Sequence, residues 1–267
     1  HDITEMFFNT RSPFDDARGV KVYPDKFTYI DYVDGVFYDL PSSTILTDKQ
    51  IEYIDNVGFA SNDDYNDHTT VYEEISYANR KTDSYTFPYG LPDYSVSSYA
   101  KACANISGGI ILGYYDIFCP DLIPGYSTIY ESNGRIKYYF QSAETSKAID
   151  ALYYDMKTNV NNGTLFADFK TGLNAYCKRQ GYAATYASVK SNGAFNYSSY
   201  KTQIKNAKPV ALFLSAFNVN AGILPFDNVD HIDNYYYTVN HVMVGCGYLD
   251  IDYYNKSGAL FRSDKYL

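Results

Sequence analysis

The order of periodicities in this sequence predicts an α+β fold, in which a layer of helices precedes an antiparallel sheet. Apolar residues recur at helical spacing over 103–117, 145–159 and 165–180. Beyond Gly181 the pattern becomes that of strands, with β-branched and apolar runs at 210–216 and 241–248. The chain is 46% hydrophobic and 18% aromatic, with 32 Tyr and 16 Phe, which is more ring surface than disorder allows and enough for a sizeable core.

The 267 residues suit one large domain or a domain with an extension. The sequence places the boundary near the Pro/Gly/aromatic segment 86–92, giving an extension over 1–90 and a main domain over 91–267. Within the extension, alternation from Val20 to Tyr38, with turn markers at Pro24 and Asp34-Gly35, predicts short strands or extended arms. A helix is predicted from the Thr47 to Gln50 capping box, with Ile51, Ile54 and Val57 on one face and Gly58 as its stop. Residues 62–68 form a polar loop whose Asp64, Asn66 and His68 alternate. Without the Gly and terminal Glu of a calcium loop, a solvated turn is expected there.

In the main domain, Ile106, Ile110, Tyr114 and Ile117 define the first helix face, and Gly108, Gly109 and Gly113 leave room for close packing. A second helix carries Ile149, Leu152, Tyr153 and Met156 on one side. The third carries Phe166, Phe169, Leu173, Tyr176 and Cys177, with Gly172 an unfavourable interior residue. Alternation from Tyr182 to Val189 predicts a strand, 198–206 a short helix stopped by Pro209, and 210–216 a buried strand. Residues 218–236 are polar and aromatic and are expected to form a long loop beside a substrate groove. After the strand 241–248, a turn over 249–258 and a returning strand over 259–264 complete the sheet.

The chemistry centres on Cys103, which opens the first helix. A thiol there faces free backbone N–H groups and the positive end of the helix dipole, so it is expected to be acidified towards the nucleophilic thiolate. A small apolar residue packing at a helix start is the plainer reading. His241 opens the late strand 138 residues further on (241 minus 103), the spacing at which papain-type enzymes carry their base.

Four stretches together, Cys103 to Tyr115 (C-A-N-I-S-G-G-I-I-L-G-Y-Y), Leu122 to Pro124, Lys208 to Leu212 and His241 to Tyr248, resemble papain-like cysteine peptidases. The resemblance is to the bacterial branch that includes bacteriocin-processing peptidases, with a C-x-P-T-A-like helix start and an H-x-x-x-x-x-G-Y strand. It implies a papain-like fold whose helical layer bears Cys103 and whose sheet bears His241, with no cofactor and no metal. The implied reaction is hydrolysis of a peptide or protein substrate by a Cys-His(-Asp) site. The residues before 91 would then be a propeptide-like arm across the cleft or part of its wall.

Two departures accompany the likeness. No Gln or Asn occurs between Asn79 and Asn105 to help stabilise an oxyanion, leaving the hydroxyl of Ser97, six residues before Cys103, as the candidate donor, with Ser98, Tyr94 or Tyr99 as substitutes. Asn105-Ile106 replaces the Pro-Thr pair. An orienting carboxylate for His241 is expected from the returning strand, where equal counting along paired strands places Asp264; otherwise the orienter lies outside the sequence. A catalytically silent binding or adhesion module, and an acyl transferase using an amine acceptor, are the competing readings.

A net charge of −9 opposes nucleic-acid binding, which needs a basic face. No apolar run reaches the ~18–20 residues of a membrane-spanning helix. The chain opens at His1-Asp2-Ile3 without an initiator Met, so a processed product, secreted or held at the cell surface, is the expectation. Cys103, Cys119, Cys177 and Cys246 lack zinc or thioredoxin spacing. The last three are expected as core thiols, with Cys119 and Cys177 the pair to examine for a disulfide. His231, among Asp227, Asp230 and Asp233, is expected as a solvated loop residue.

Overall fold

The computed structural model describes residues 20–23, 28–31, 37–39, 68–88, 90–95, 97–126, 129–130, 136–137, 141–191 and 194–267. The helix expected from Thr47 and the polar loop up to Asp67 lie outside these residues. Strands β1 (Val20–Tyr23), β2 (Thr28–Asp31) and β3 (Phe37–Asp39) pair antiparallel in that order, so of the short strands or extended arms that the alternation left open the strands are found.

The fold mixes helices with antiparallel sheets. One sheet has the order β10-β11-β4, from β4 (His68–Ser76), β10 (Val210–Phe226) and β11 (Val229–Gly245); the other has the order β13-β12-β5, from β5 (Asn79–Thr86), β12 (Gly247–Tyr254) and β13 (Leu260–Tyr266). Residues 68–86 thus supply an edge strand to each sheet. They are built into the same sheets as the C-terminal strands, β4 beside β11 and β5 beside β12.

Helix α1 (Cys103–Asp116) is buried on nearly every side, including Ile111 and Leu112 at 1% exposure, so it is a central helix rather than an amphipathic surface one. Its glycines admit α2 (Ala143–Asp155): a Cβ on Gly109 would stand 2.4 Å from Ile149 Cγ1. α2 starts with a capping box between Ser142 and Thr145 and stops where Lys157 turns to φ +52°. After a single turn, α3 (Thr158–Asn161), comes α4 (Phe166–Arg179). Its Gly172 has a packing reason that local propensity conceals, since a Cβ would meet Asp155 C and Met156 N at 2.7 Å.

Residues 182–189 alternate in burial as expected but pair with no strand. They run extended over the helical layer, with Tyr182 and Tyr186 donating to the carbonyls of Pro120 and Lys170. Short pairs β6 (Ile129–Tyr130) with β7 (Ile136–Lys137) and β8 (Lys190–Ser191) with β9 (Ala194–Phe195) complete the connections. Helix α5 (Tyr197–Lys205), capped by Asn196, docks on the second sheet. Lys201 there binds Asp83 and Asp250, and Tyr200 donates to the Gly247 carbonyl at 2.6 Å.

The long loop expected over 218–236 is instead a continuation of two strands. β10 and β11 each run 17 residues and are joined by Asp227-Asn228 alone, both at positive φ (+47° and +62°), a two-residue turn that Asp and Asn tolerate because their short side chains suit the left-handed region. Two register shifts, between Ser215 and Phe217 and between Asn220 and Gly222, interrupt the ladder.

Candidate functional site

Among the described residues, β4 pairs with β11 as far as His68 and Tyr237. Past that point helix α1 takes over the edge of β11. The Val242 N–H donates to the Cys103 sulfur, and Ser107 Oγ donates to the Val242 carbonyl at 3.1 Å. Strand edges carry backbone groups that must find partners, and here the first turns of a helix supply them. Cys103 is brought in this way to the residue that follows His241.

No side chain caps the start of α1, so its first N–H groups are open to the thiol. Backbone N–H groups of Val242, Ala104 and Cys103 itself favour the thiolate. Burial is the larger effect and pushes the Cys103 thiol above its ordinary value, so the acidification expected from the helix dipole does not win in the unliganded site.

His241 lies on the other side of the strand. Val242 and Val244 join the core that includes α1, whereas Met243 joins Phe217, Tyr235 and Tyr237 on the opposite face. The imidazole stacks on the Phe217 ring at 6.0 Å between centroids. Burial lowers its pKa from 6.5 to about 4, so it is neutral at physiological pH. The sulfur therefore meets the edge of β11 where α1 docks, while the imidazole lies on the opposite face against Phe217 of β10, neither in its charged form.

The remaining predicted residues are placed as follows. Ser97 Oγ accepts from the Tyr99 N–H at 3.2 Å, leaving its own proton to donate; Ser98 Oγ is bound to Asp150 at 2.7 Å. Asp264 does not return to His241. β12 runs on to Tyr254, the turn comes at 255–259, and the resulting register sets Asp264 opposite Ile251, with its carboxylate on Arg262 Nε at 2.7 Å. Arg262 also binds Glu73 on β4, so Asp264 belongs to a clasp between the two sheets. A second clasp is the fully buried Asp230, held by Arg80 at 2.6 Å and by the Tyr253 hydroxyl at 2.9 Å.

His231 is a strand residue rather than a loop residue, with Tyr72 Oη at its Nδ1 and Glu74 3.2 Å away. Cys177 and Cys246 are buried and Cys119 half-buried, and all four cysteines are free thiols. Sequence reasoning missed Val242, whose role comes from its backbone and leaves no residue-type signal. It also missed Ser107, four residues after Cys103 and so one helical turn along the same face.

No family model matches the chain, no curated protein matches it, and no solved structure matches it. Among the described residues no helix is long and apolar enough to cross a membrane.

Proposed function

We propose that this chain is a papain-like cysteine peptidase with Cys103 as nucleophile and His241 as base. The observation that supports the reading is the docking of the α1 start on the edge of β11, with three backbone N–H groups around the sulfur one residue from His241. In the proposed reaction, peptide substrate enters this edge, the His241 imidazole leaves Phe217 and turns round the strand towards the sulfur to take the Cys103 proton, and the thiolate adds to the scissile carbonyl. The oxyanion is met by backbone N–H groups of the first turn and by the hydroxyl of Ser97. His241 then protonates the leaving amine, and water attacking the thioester releases the acyl product and regenerates the thiol. Asp264 is left out of this scheme because its carboxylate is committed to Arg262. Action outside the cell or at its surface, on peptide or protein, accompanies the proposal.

A second reading, a non-catalytic binding module on the same fold, is favoured by one specific observation. Burial moves the two groups away from a thiolate–imidazolium pair, raising the thiol and lowering the imidazole. Labelling with a peptidyl vinyl sulfone, followed by mapping of the modified residue in wild type and in His241→Ala, decides between them. Modification confined to Cys103 and slowed at least tenfold by His241→Ala supports the peptidase. Slow labelling of several thiols, unaffected by that substitution, supports the binding module and removes the catalytic reading.

A further inference from the structure

The four cysteines divide by position. Cys103 stands at the start of α1, and Cys119 just past its other end, separated by a helix of about 20 Å. Cys246 is wholly buried between Gly245 and Gly247, where β11 hands over to β12. Cys177 lies in the last turn of α4, at the same end of the helical layer as Cys119.

Tyr182 spans the two segments that carry Cys119 and Cys177. Its backbone N–H donates to the Cys177 carbonyl at 2.9 Å, and its hydroxyl donates to the carbonyl of Pro120, the residue after Cys119, at 2.7 Å. The Cys119 N–H is itself fixed on the Tyr115 carbonyl at 2.9 Å, so the backbone on both sides is held. Both cysteines border the same apolar cluster, Cys177 at 7% exposure and Cys119 packed against it. They also feel each other electrostatically: burial lifts the Cys177 thiol to about 11, and the adjacent Cys119 adds to the rise.

We propose that Cys119 and Cys177 form a disulfide under oxidising conditions, tying the end of α1 to the end of α4 while Cys103 stays a free thiol. The oxidant is a small-molecule disulfide, RSSR. The Cys119 thiolate, on the more exposed residue, attacks one sulfur and releases the first RS⁻, giving a mixed disulfide. The Cys177 thiolate then attacks the Cys119 sulfur and releases the second RS⁻. Two cysteine thiols and RSSR become one protein disulfide and two RSH, the two protons lost by the cysteines ending on the released thiolates. Because Cys177 is so weakly acidic, the second step accelerates with pH up to its pKa. The cross-link constrains the unfolded chain, and a loop of this length raises the melting temperature of a chain this size by roughly 10 °C.

The test uses the full chain, reduced, then exposed to glutathione disulfide at pH 7 and pH 9. Non-reducing digestion and mass spectrometry are to recover a Cys119–Cys177 linked peptide, formed at least tenfold faster at pH 9, with Cys103 still alkylatable and the melting temperature raised. Cys119→Ser is to remove the linked peptide and the thermal shift together. The proposal is overturned if the chain keeps four alkylatable thiols, if a different pair is recovered, or if the linked form melts no higher than the reduced one. None of these outcomes depends on peptidase activity, so this inference and the catalytic reading fail separately.

Discussion

Lowering the pH from 7 to 5 loads a proton onto His241 in the unfolded chain but not in the folded one, where burial holds the imidazole at about 4 against 6.5 when free. A group whose folded pKa is depressed contributes stability that is fully present above the unfolded value and is lost as pH falls towards the folded value. Between pH 7 and pH 5 the loss comes to about 2 kcal/mol, approaching about 3 kcal/mol once the folded imidazole also titrates. Wild type alone cannot report it, because burial lifts Asp93 from 3.8 to about 6. That shift has the opposite sign: its stabilisation is present at low pH and is lost as pH rises towards 6. Both proteins carry Asp93, so the comparison with His241→Gln, neutral throughout, isolates the histidine. Urea unfolding followed by far-UV circular dichroism at the two pH values is the measurement. The wild-type advantage over His241→Gln is expected to shrink by about 2 kcal/mol at pH 5. An offset that stays constant within about 0.5 kcal/mol would refute the claim that this imidazole is buried and neutral.

Two further predictions concern the scaffold. Gly172→Ala is expected to destabilise by about 1–2 kcal/mol despite alanine's better helix propensity, because its Cβ collides with backbone of α2 that cannot rotate aside. Asn174→Ala on the exposed side of the same helix serves as control in the same denaturation assay, and equal stability of the two variants would show that the helices do not cross so closely. Asp230→Ala is expected to cost about 3 kcal/mol, since it strands the buried Tyr253 hydroxyl and removes the partner of Arg80. The figure sits at the low end for a broken buried pair because Arg80 is 23% exposed and can turn to water. A loss under about 1 kcal/mol in urea unfolding would mean that the clasp between the sheets is not tight.

Particular elements show where reading the sequence succeeded and where it stopped. The three main helices were legible because each is long enough for its apolar spacing to repeat, whereas the caps Ser142 and Asn196, which start α2 and α5 a residue or two before the expected 145 and 198, went unread. The β10–β11 hairpin was not. Its outer part is as polar as a loop because that stretch presents much of its surface to water, and Asp227-Asn228 is a weaker turn signal than a pair ending in glycine. Residues 182–189 show the converse, alternating like a strand because one side lies on the helices, although no ladder forms.

By itself the sequence determined the mixture of helices and antiparallel strands and the placement of Cys103 at a helix start and of His241 on a late strand. All of these follow from short-range periodicity and from covalent neighbours. Only the tertiary structure decided that α1 replaces a strand along the edge of β11, that the His241 ring turns to Phe217, and that Asp264 is spent on Arg262. Each depends on register, and a register is fixed by where a turn falls and which backbone groups remain unpaired, quantities that belong to pairs of distant segments and to no single stretch of residues.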